Sequence, residues 1–441
     1  MSTTTYRVSH VQRRFLDAPR MIAVHTCWDV DAVVDATVMA RAVSWLATRQ
    51  AMLRTVFTRD EDGWLAHVGP ATTGHVDVVD ATTWSRDEIQ DHLEASTAIP
   101  FDRAARAPFV VRLYRMRGGR TIFFPLLDHV LADGWSLQTI VTELWSTYAA
   151  LAAGTEPDLP PLVRSYADYA AAEAALVDDE AGRRQLAFWE RRLAGVPALD
   201  PPTDHPRVTP RAWRGGSVPF RLEPAAWQAV RDVAPALGTT PFVFLLAAYV
   251  AAVARWSGRP AFAVGTSSAG RWSETVRHVI GPYVNPVAVP ADLRVARTGR
   301  TLVKDVQARL IEALAHRDLP FGVIVDRLAP AASSRPPFFE TMFIMLNVFD
   351  IDRFRRHLAA SLGVPLDGVR LWHPVPNRHC RYDFEVLTYE YDGALHGALD
   401  FDCDLYDRST MAALASDYVA LVSRLAAAPD ETLAGLPGTP A

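Results

Sequence analysis

FVVRLYRMRGGRTIFFPLLDHVLADGWSLQTIVTELWSTYAALAAG, residues 109 to 154, holds the change of pattern on which the reading of this chain turns. FVVRLYRM (109 to 116) and TIFFPLL (121 to 127) are β-rich runs on either side of Arg117-Gly118-Gly119-Arg120, the sequence form of a hairpin with a short glycine loop. From Trp135 onward, Leu137, Ile140, Val141, Leu144, Trp145 and Tyr148 recur at helical spacing and make one apolar face that stops at Gly154. The polar cluster from Asp128 to Asp133 therefore belongs to a strand-to-helix loop. A histidine at the end of a buried strand, with an aspartate four residues on and then a glycine for a tight turn, can set an imidazole at a cavity wall. There it could accept or position a proton near neutral pH. On spacing alone the signal is weak, and the plainer reading of His129 is a ring satisfied by backbone bonds, beside an Asp133 that caps the next helix.

Outward from this stretch the chain is mixed α and β. Ala42, Val43, Leu46, Ala47 and Leu53 predict a helix between Arg41 and Phe57, followed by strands near Trp64 to Val68 and Val76 to Val79. Proline and glycine collect at PDLPPL (157 to 162) and again at GVPALDPPTDHPRVTPRAWRGG (195 to 216), with a helical stretch from Tyr166 to Leu193 between them. Beyond residue 216 the β-like SVPFRL, a helical TTPFVFLLAAYVAAVARWSG, the strand-like AFAVGTSS and a helical run from Leu302 to Leu328 repeat the plan of the first half. Two related lobes are expected: residues 1–195 and 217–441, joined by a linker at 196–216.

Composition narrows the partners. The chain has 441 residues, of which 49% are hydrophobic and 22% charged, enough for packed cores and too apolar for disorder. A formal charge of −5 offers no field for a nucleic-acid backbone. Cys27, Cys380 and Cys403 lie far apart without C-x-x-C spacing, against a disulfide framework or a cysteine zinc site and in keeping with a reducing cytoplasm. The longest apolar run, Pro241 to Ala254, is shorter than the ~18 residues of a membrane span. H-E-x-x-H, G-x-x-x-x-G-K-[ST], G-x-S-x-G and G-x-G-x-x-G are all missing, which removes the usual support for metal, nucleotide and hydrolase readings.

DHVLADGWS (128 to 136) resembles the H-H-x-x-x-D-G motif of the condensation domains of nonribosomal peptide synthetases. VSHVQRRF resembles the family's opening segment, and TRQAMLRTVF its R-H-x-x-L-R-T-x-F helix end. SYADYA, FWERRLAGVP, TDHPRVTPRAWRGG, TPFVFLLAAYVAAVARWSGRPAFAVGTSSAGR, IGPYVNPVAV, HRDLPFGVIVDRL, PPFFETMFIMLN and RYDFEVLTYEYDGALHGALDFDCDLYD follow in the family's order, from about residue 6 to about residue 425. The resemblance implies an α/β (α+β) fold of two chloramphenicol-acetyltransferase-like lobes in a V, a pseudo-dimer with a central tunnel. It further implies attack of an amine, or a hydroxyl, on a thioester delivered on the phosphopantetheine arm of a donor carrier protein. The acceptor would be a second carrier's cargo or a free small molecule, with no cofactor or metal held by the chain itself. No adenylation segment and no carrier-type G-G-x-S site accompany it, so partners must supply the substrates. Met1 and a loose tail favour a free-standing protein over an excised domain.

On the same resemblance His129 matches the catalytic histidine, Asp133 the aspartate that fixes its loop through an arginine, and Gly134 the motif glycine, where the backbone turns close to the tunnel. Arg271 in SSAGR, and after it Arg54 in LRTVF, match the positions that supply such an arginine. Ser136, Ser267 and Asn285 are expected to line the tunnel, Trp135 to pack under the helix start, and His316 to pack or cap. Asp128 replaces the first motif histidine, where it could accept a backbone amide or tune an imidazole. Two alternatives stay open. Asp128, Asp133 and Ser136 spell the D-x-x-x-x-D-x-x-S pattern of heterocyclisation domains, and the same fold with a decayed motif would be a docking module without turnover.

Overall fold

The computed structural model describes residues 4–433 except 71–73, 75, 209, 272, 295–297, 330–334, 347–349 and 373. The chain forms two compact units, and the division does not follow the halves of the sequence. The first comprises Met1–Leu176, Ala269–Val284 and Val348–Arg378; the second comprises Val177–Ser268, Asn285–Asn347 and His379–Ala441. Residues 196–216 lie inside the second unit, and two later segments return to the first.

In the first unit the expected hairpin forms from strands Phe109–Arg115 and Thr121–Asp128, paired antiparallel with Phe109 opposite Leu127. Gly118 and Gly119 both adopt φ of +78°, a left-handed turn that side-chain-bearing residues rarely enter. Thr121–Asp128 is the inner strand of a sheet ordered 369–371, 28–30, 121–128, 109–115, 76–80, with 23–25 also paired to it. Every residue of that strand is buried. Its alternating side chains serve two layers. Ile122, Phe124 and Leu126 pack with Ile89, Leu93 and Tyr114, while Phe123 meets the edge of Trp145 at 5.0 Å between ring centroids. Trp145 belongs to the helix Gly134–Ala152, whose apolar face is the one the spacing predicts. A second, three-stranded sheet pairs 4–7 with 63–68 and 63–68 with 55–60.

The second unit has a six-stranded sheet ordered 285–292, 261–268, 341–345, 384–391, 394–402, 215–222. The helix Pro241–Ser257 packs on it with every side chain from Val243 to Ala254 buried. Thr240 caps its start and Gly258 ends it, so this longest apolar run is a core helix. Full burial of each large aliphatic or aromatic side chain in it contributes roughly 1.5–3 kcal/mol. Among the described residues no single helix is long and apolar enough to cross a membrane.

Two continuous helical stretches predicted from the sequence are each broken. Tyr166–Asp178 and Glu180–Leu193 are separate because the Asp179 side chain caps the second helix by accepting the Gly182 amide. Gly299–Ala315 and Phe321–Leu328 are separate because the chain turns through His316 to Pro320, whose ring fixes the backbone before the second helix. His316 closes the first of these helices and stacks on Phe188 at 3.6 Å.

Candidate active site

His129 follows the last residue of the buried strand, and its amide donates to the Ile22 carbonyl at 2.9 Å. The residue is 8% exposed, and its ring lies face to face with Phe15, 4.1 Å between centroids at an interplanar angle of 13°. Phe15 comes from the helix His10–Leu16, whose start is fixed by a capping box between Ser9 and Gln12. Gln12 is fully buried and donates from Nε2 to the Val130 carbonyl at 3.4 Å. The VSHVQRRF segment thus supplies both the ring that faces the imidazole and a bond to the next residue of the loop.

Asp128 does not face solvent. Arg103 donates from Nε to its Oδ2 at 2.7 Å, and the Val130 amide donates to its Oδ1 at 3.1 Å. Burial pushes its carboxyl above the ordinary aspartate range, and the Arg103 charge and bond pull in the opposite direction. The backbone-amide role considered for Asp128 is the geometry it adopts, together with an arginine partner that the motif gave no reason to seek.

Asp133 caps the helix Gly134–Ala152. Its Oδ1 accepts the Ser136 amide at 2.8 Å and its Oδ2 accepts the Tyr283 amide at 2.9 Å, so each oxygen holds a different segment. Arg271 approaches it with Nη2 at 3.5 Å, an ion pair longer than a good hydrogen bond. The guanidinium spends its shorter bonds elsewhere: Nη1 donates to the carbonyls of Val276 and Val279 at 2.7 and 2.8 Å, and its carbon sits 4.0 Å from the Tyr283 ring centroid. Arg271 is therefore brought to Asp133, chiefly as a charge, while backbone amides fix the carboxylate.

Other expectations are corrected by placement. Arg54 does not reach Asp133: it donates to the Gly69 carbonyl and borders a cavity of about 190 Å³ with Tyr6, Thr55, Pro70 and Tyr166. Gly134 is the first residue of the helix and is not among the residues with positive φ, so its place in the fold does not depend on a left-handed turn. Ser136 has no exposed surface, and its hydroxyl is saturated. It donates to the Gly281 carbonyl at 2.7 Å and accepts from the Gly281 amide at 3.0 Å and Arg271 Nη2 at 2.5 Å. It ties the loop to the 281 backbone. Asn285 is likewise buried in backbone bonds, donating to the Arg317 and Leu319 carbonyls and accepting the Phe321 amide, all at 2.8 Å. Ser267 is half-buried in the strand Ala261–Ser268, opposite Pro286. Trp135 is half-exposed and donates to the Arg277 carbonyl at 3.1 Å, so it lies over the 269–284 segment and not under the helix.

Several contributors carried only weak signals. Arg103 is one of many arginines, and nothing local marks it as the partner of Asp128. Phe15 and Tyr283 stand within the quoted segments VSHVQRRF and IGPYVNPVAV, where position in the segment was the available clue.

Residues 2–438 match the family described as Condensation domain. The chain belongs to that family. One component of the linear gramicidin synthase of Brevibacillus parabrevis is 30% identical to this condensation domain over 414 residues, 92% of the chain and 5% of that protein. The chain spans 5% to 17% of the length of eight of the most similar curated relatives. A four-domain nonribosomal peptide synthetase solved with AMP and glycine superposes with a TM-score of 0.87 at 20% identity, covering 99% of this chain and 34% of that one. The X-domain from teicoplanin biosynthesis superposes with a TM-score of 0.82 at 23% identity, covering 97% and 96%. The fold is accordingly the mixed α/β, two-lobed, chloramphenicol-acetyltransferase-like fold that the motif order implied.

Proposed function

We propose that this condensation domain transfers an acyl or aminoacyl group from a carrier-protein thioester to an amine or hydroxyl, with His129 as the catalytic residue. The observation that carries the reading is the fixation of one imidazole. His129 is held through its own amide, stacked on Phe15, and followed by a loop whose Asp133 is bonded on both oxygens.

Little further chemistry is required of the protein. A thioester is already activated, so bringing an unprotonated amine within bonding distance of its carbonyl supplies much of the rate. The nitrogen forms a bond to the carbonyl carbon, the carbon–sulfur bond breaks, and the thiol leaves on its phosphopantetheine arm. The proton lost by the nucleophile is taken or steered by the imidazole. Asp128, engaged by Arg103, and Asp133, engaged by two amides, support the loop and make no bond to substrate. Donor and acceptor carriers are the expected partners, and the acceptor is equally a free small molecule.

The test mixes loaded donor carrier with a panel of amine and hydroxyl acceptors and reads the joined product by intact mass. Product that disappears with His129→Ala supports acyl transfer. Carrier binding without product on any acceptor overturns it in favour of a docking role, and a product lighter by one water from a Cys, Ser or Thr acceptor replaces it with heterocyclisation.

A further inference from the structure

Glu173, in the helix Tyr166–Asp178, is a buried carboxylate that none of the motif reasoning uses. Its Oε2 accepts the His10 amide at 2.5 Å, at the first turn of the helix that carries Phe15 and Gln12. Its Oε1 accepts the Tyr169 hydroxyl at 3.2 Å. Tyr169 packs edge-on against Tyr283 with centroids 4.6 Å apart, and it is the Tyr283 amide that holds Asp133 Oδ2. One helical turn earlier, the Tyr166 hydroxyl meets Ser9 Oγ at 2.8 Å and the Pro282 carbonyl at 3.0 Å. The same helix therefore grips both neighbours of the motif loop: the opening helix under the imidazole and the 281–283 strip beside Asp133.

We propose that Glu173 is a positioning residue for His129, its carboxylate joining the start of the helix that bears Phe15 to the Tyr169–Tyr283 pair beside Asp133. The proposal deepens the acyl-transfer reading and rests on His129 being the working group of that reaction. It has a built-in pH dependence. Burial pushes the Glu173 carboxyl up to about 7, against the backbone amides of His10 and Val11 and the Tyr169 hydroxyl, which favour its ionised form. The titratable groups that face it are Tyr166 and Tyr169 from its own helix, and the opening helix meets it through the His10 amide. Behind these phenols stand Tyr6 of strand 4–7, and Tyr283, Asp133 and Arg271. Its ionised form accepts the His10 amide and the Tyr169 hydroxyl. Protonation removes that charge and gives one oxygen a proton of its own, so the grip on the opening helix slackens as pH falls through neutrality.

The experiment follows the His129 imidazole itself. In protein labelled with ¹³C-histidine, the His129 signal is identified by its loss in His129→Asn and titrated across the window around pH 7 in wild type, Glu173→Gln and Tyr169→Phe. Wild type is expected to show one more titration step at His129 than Glu173→Gln, and Tyr169→Phe to move that step. In turnover, Glu173→Gln is expected to lose about tenfold in kcat/KM on the alkaline side, and Glu173→Asp to recover part of it. Titrations of His129 that superimpose in all three proteins overturn the proposal. The spectroscopic reading needs no product, so a protein without acyl transfer sinks the reaction, while the titrations still decide the positioning role. Should Glu173→Gln fail to fold, the Tyr169→Phe titration decides by the same criterion.

Discussion

Arg103 Nε stands 2.7 Å from Asp128 Oδ2, so the residue that replaces the first motif histidine is one half of an inward-facing ion pair. Asp128 is essentially without solvent contact and Arg103 is mostly covered, which makes removal of the cation costlier than removal of the charge on the acid. Arg103→Met is expected to destabilise the protein by about 2 kcal/mol. Asp128→Asn, which keeps an acceptor for the Val130 amide, is expected to cost less, and the double variant less than the sum of the two. Urea denaturation of the four proteins measures this, and an Arg103→Met protein as stable as wild type contradicts it.

The Phe15 ring is buried against His129, so its loss removes packing and the imidazole's stacking partner together. Phe15→Ala is expected to cost about 3 kcal/mol in stability and Phe15→Leu about 1 kcal/mol. Phe15→Leu keeps the fold and lets the imidazole tilt, so its kcat/KM for product formation is expected to fall about tenfold. Wild-type turnover by Phe15→Leu shows that the stack has no part in placing the ring.

Asp133 satisfies amides from two segments, and alanine leaves both the Ser136 and Tyr283 N–H groups without an acceptor. Asp133→Ala is expected to cost about 2–4 kcal/mol and Asp133→Asn, which retains one carbonyl oxygen, about half as much. Product formation is expected to drop about 100-fold with alanine because the loop carrying His129 loses its tie to 281–283. Thermal melts and the intact-mass assay read the two effects separately.

Gly270 precedes Arg271 with φ of +65°, and a Cβ there would collide with the Tyr283 carbonyl oxygen. Gly270→Ala is therefore expected to displace the 281–283 strip and cost more than about 2 kcal/mol, visible as a lowered melting temperature. Glycine at 118, where nothing crowds the same atom, serves as the control: Gly118→Ala bears only the strain of its positive φ, about 1 kcal/mol.

Asp400, in the strand Ala394–Asp402 beside Ser217 and Glu385, has its carboxyl pushed up to about 7 by burial, with Glu385 adding to the rise and Ser217 and Arg381 opposing it. The folded chain thus keeps a proton that the unfolded chain has already released between about pH 4 and about 7, and stability falls as pH rises through that window. Asp400→Asn has no such proton to lose. Its stability relative to wild type is expected to improve steadily from the acid to the neutral side, followed by denaturant midpoints at several pH values, and a pH-independent difference would falsify this assignment.

Much of this architecture was legible because it is local. The hairpin at 109–127 declares itself through β-rich runs around two glycines, and the following helix through one apolar stripe. The helix 241–257 announces its ends with Thr240, Pro241 and Gly258. What was hidden depends on residues distant in sequence. No pattern in 166–193 announces that Glu173 will accept an amide from His10, and the three-residue strand 369–371 is too short to show that it pairs with 28–30. At the site, His129, Asp133 and Arg271 were readable as types in familiar segments. Arg103 and the saturation of Ser136 were not, since the first is a side-chain ion pair between separate segments and the second depends on how the backbone at Gly281 meets the helix start.

The return of residues 269–284 to the first unit decides where this gene can be cut. A fragment ending in the proline-rich stretch near residue 216 would retain His129 and Asp133 but lack Arg271, Gly281 and Tyr283, leaving the helix cap half empty. Fragment expression, split-protein complementation and the grafting of one half onto a foreign partner should therefore carry 269–284 along with the front of the sequence, or treat the whole chain as the smallest exchangeable part.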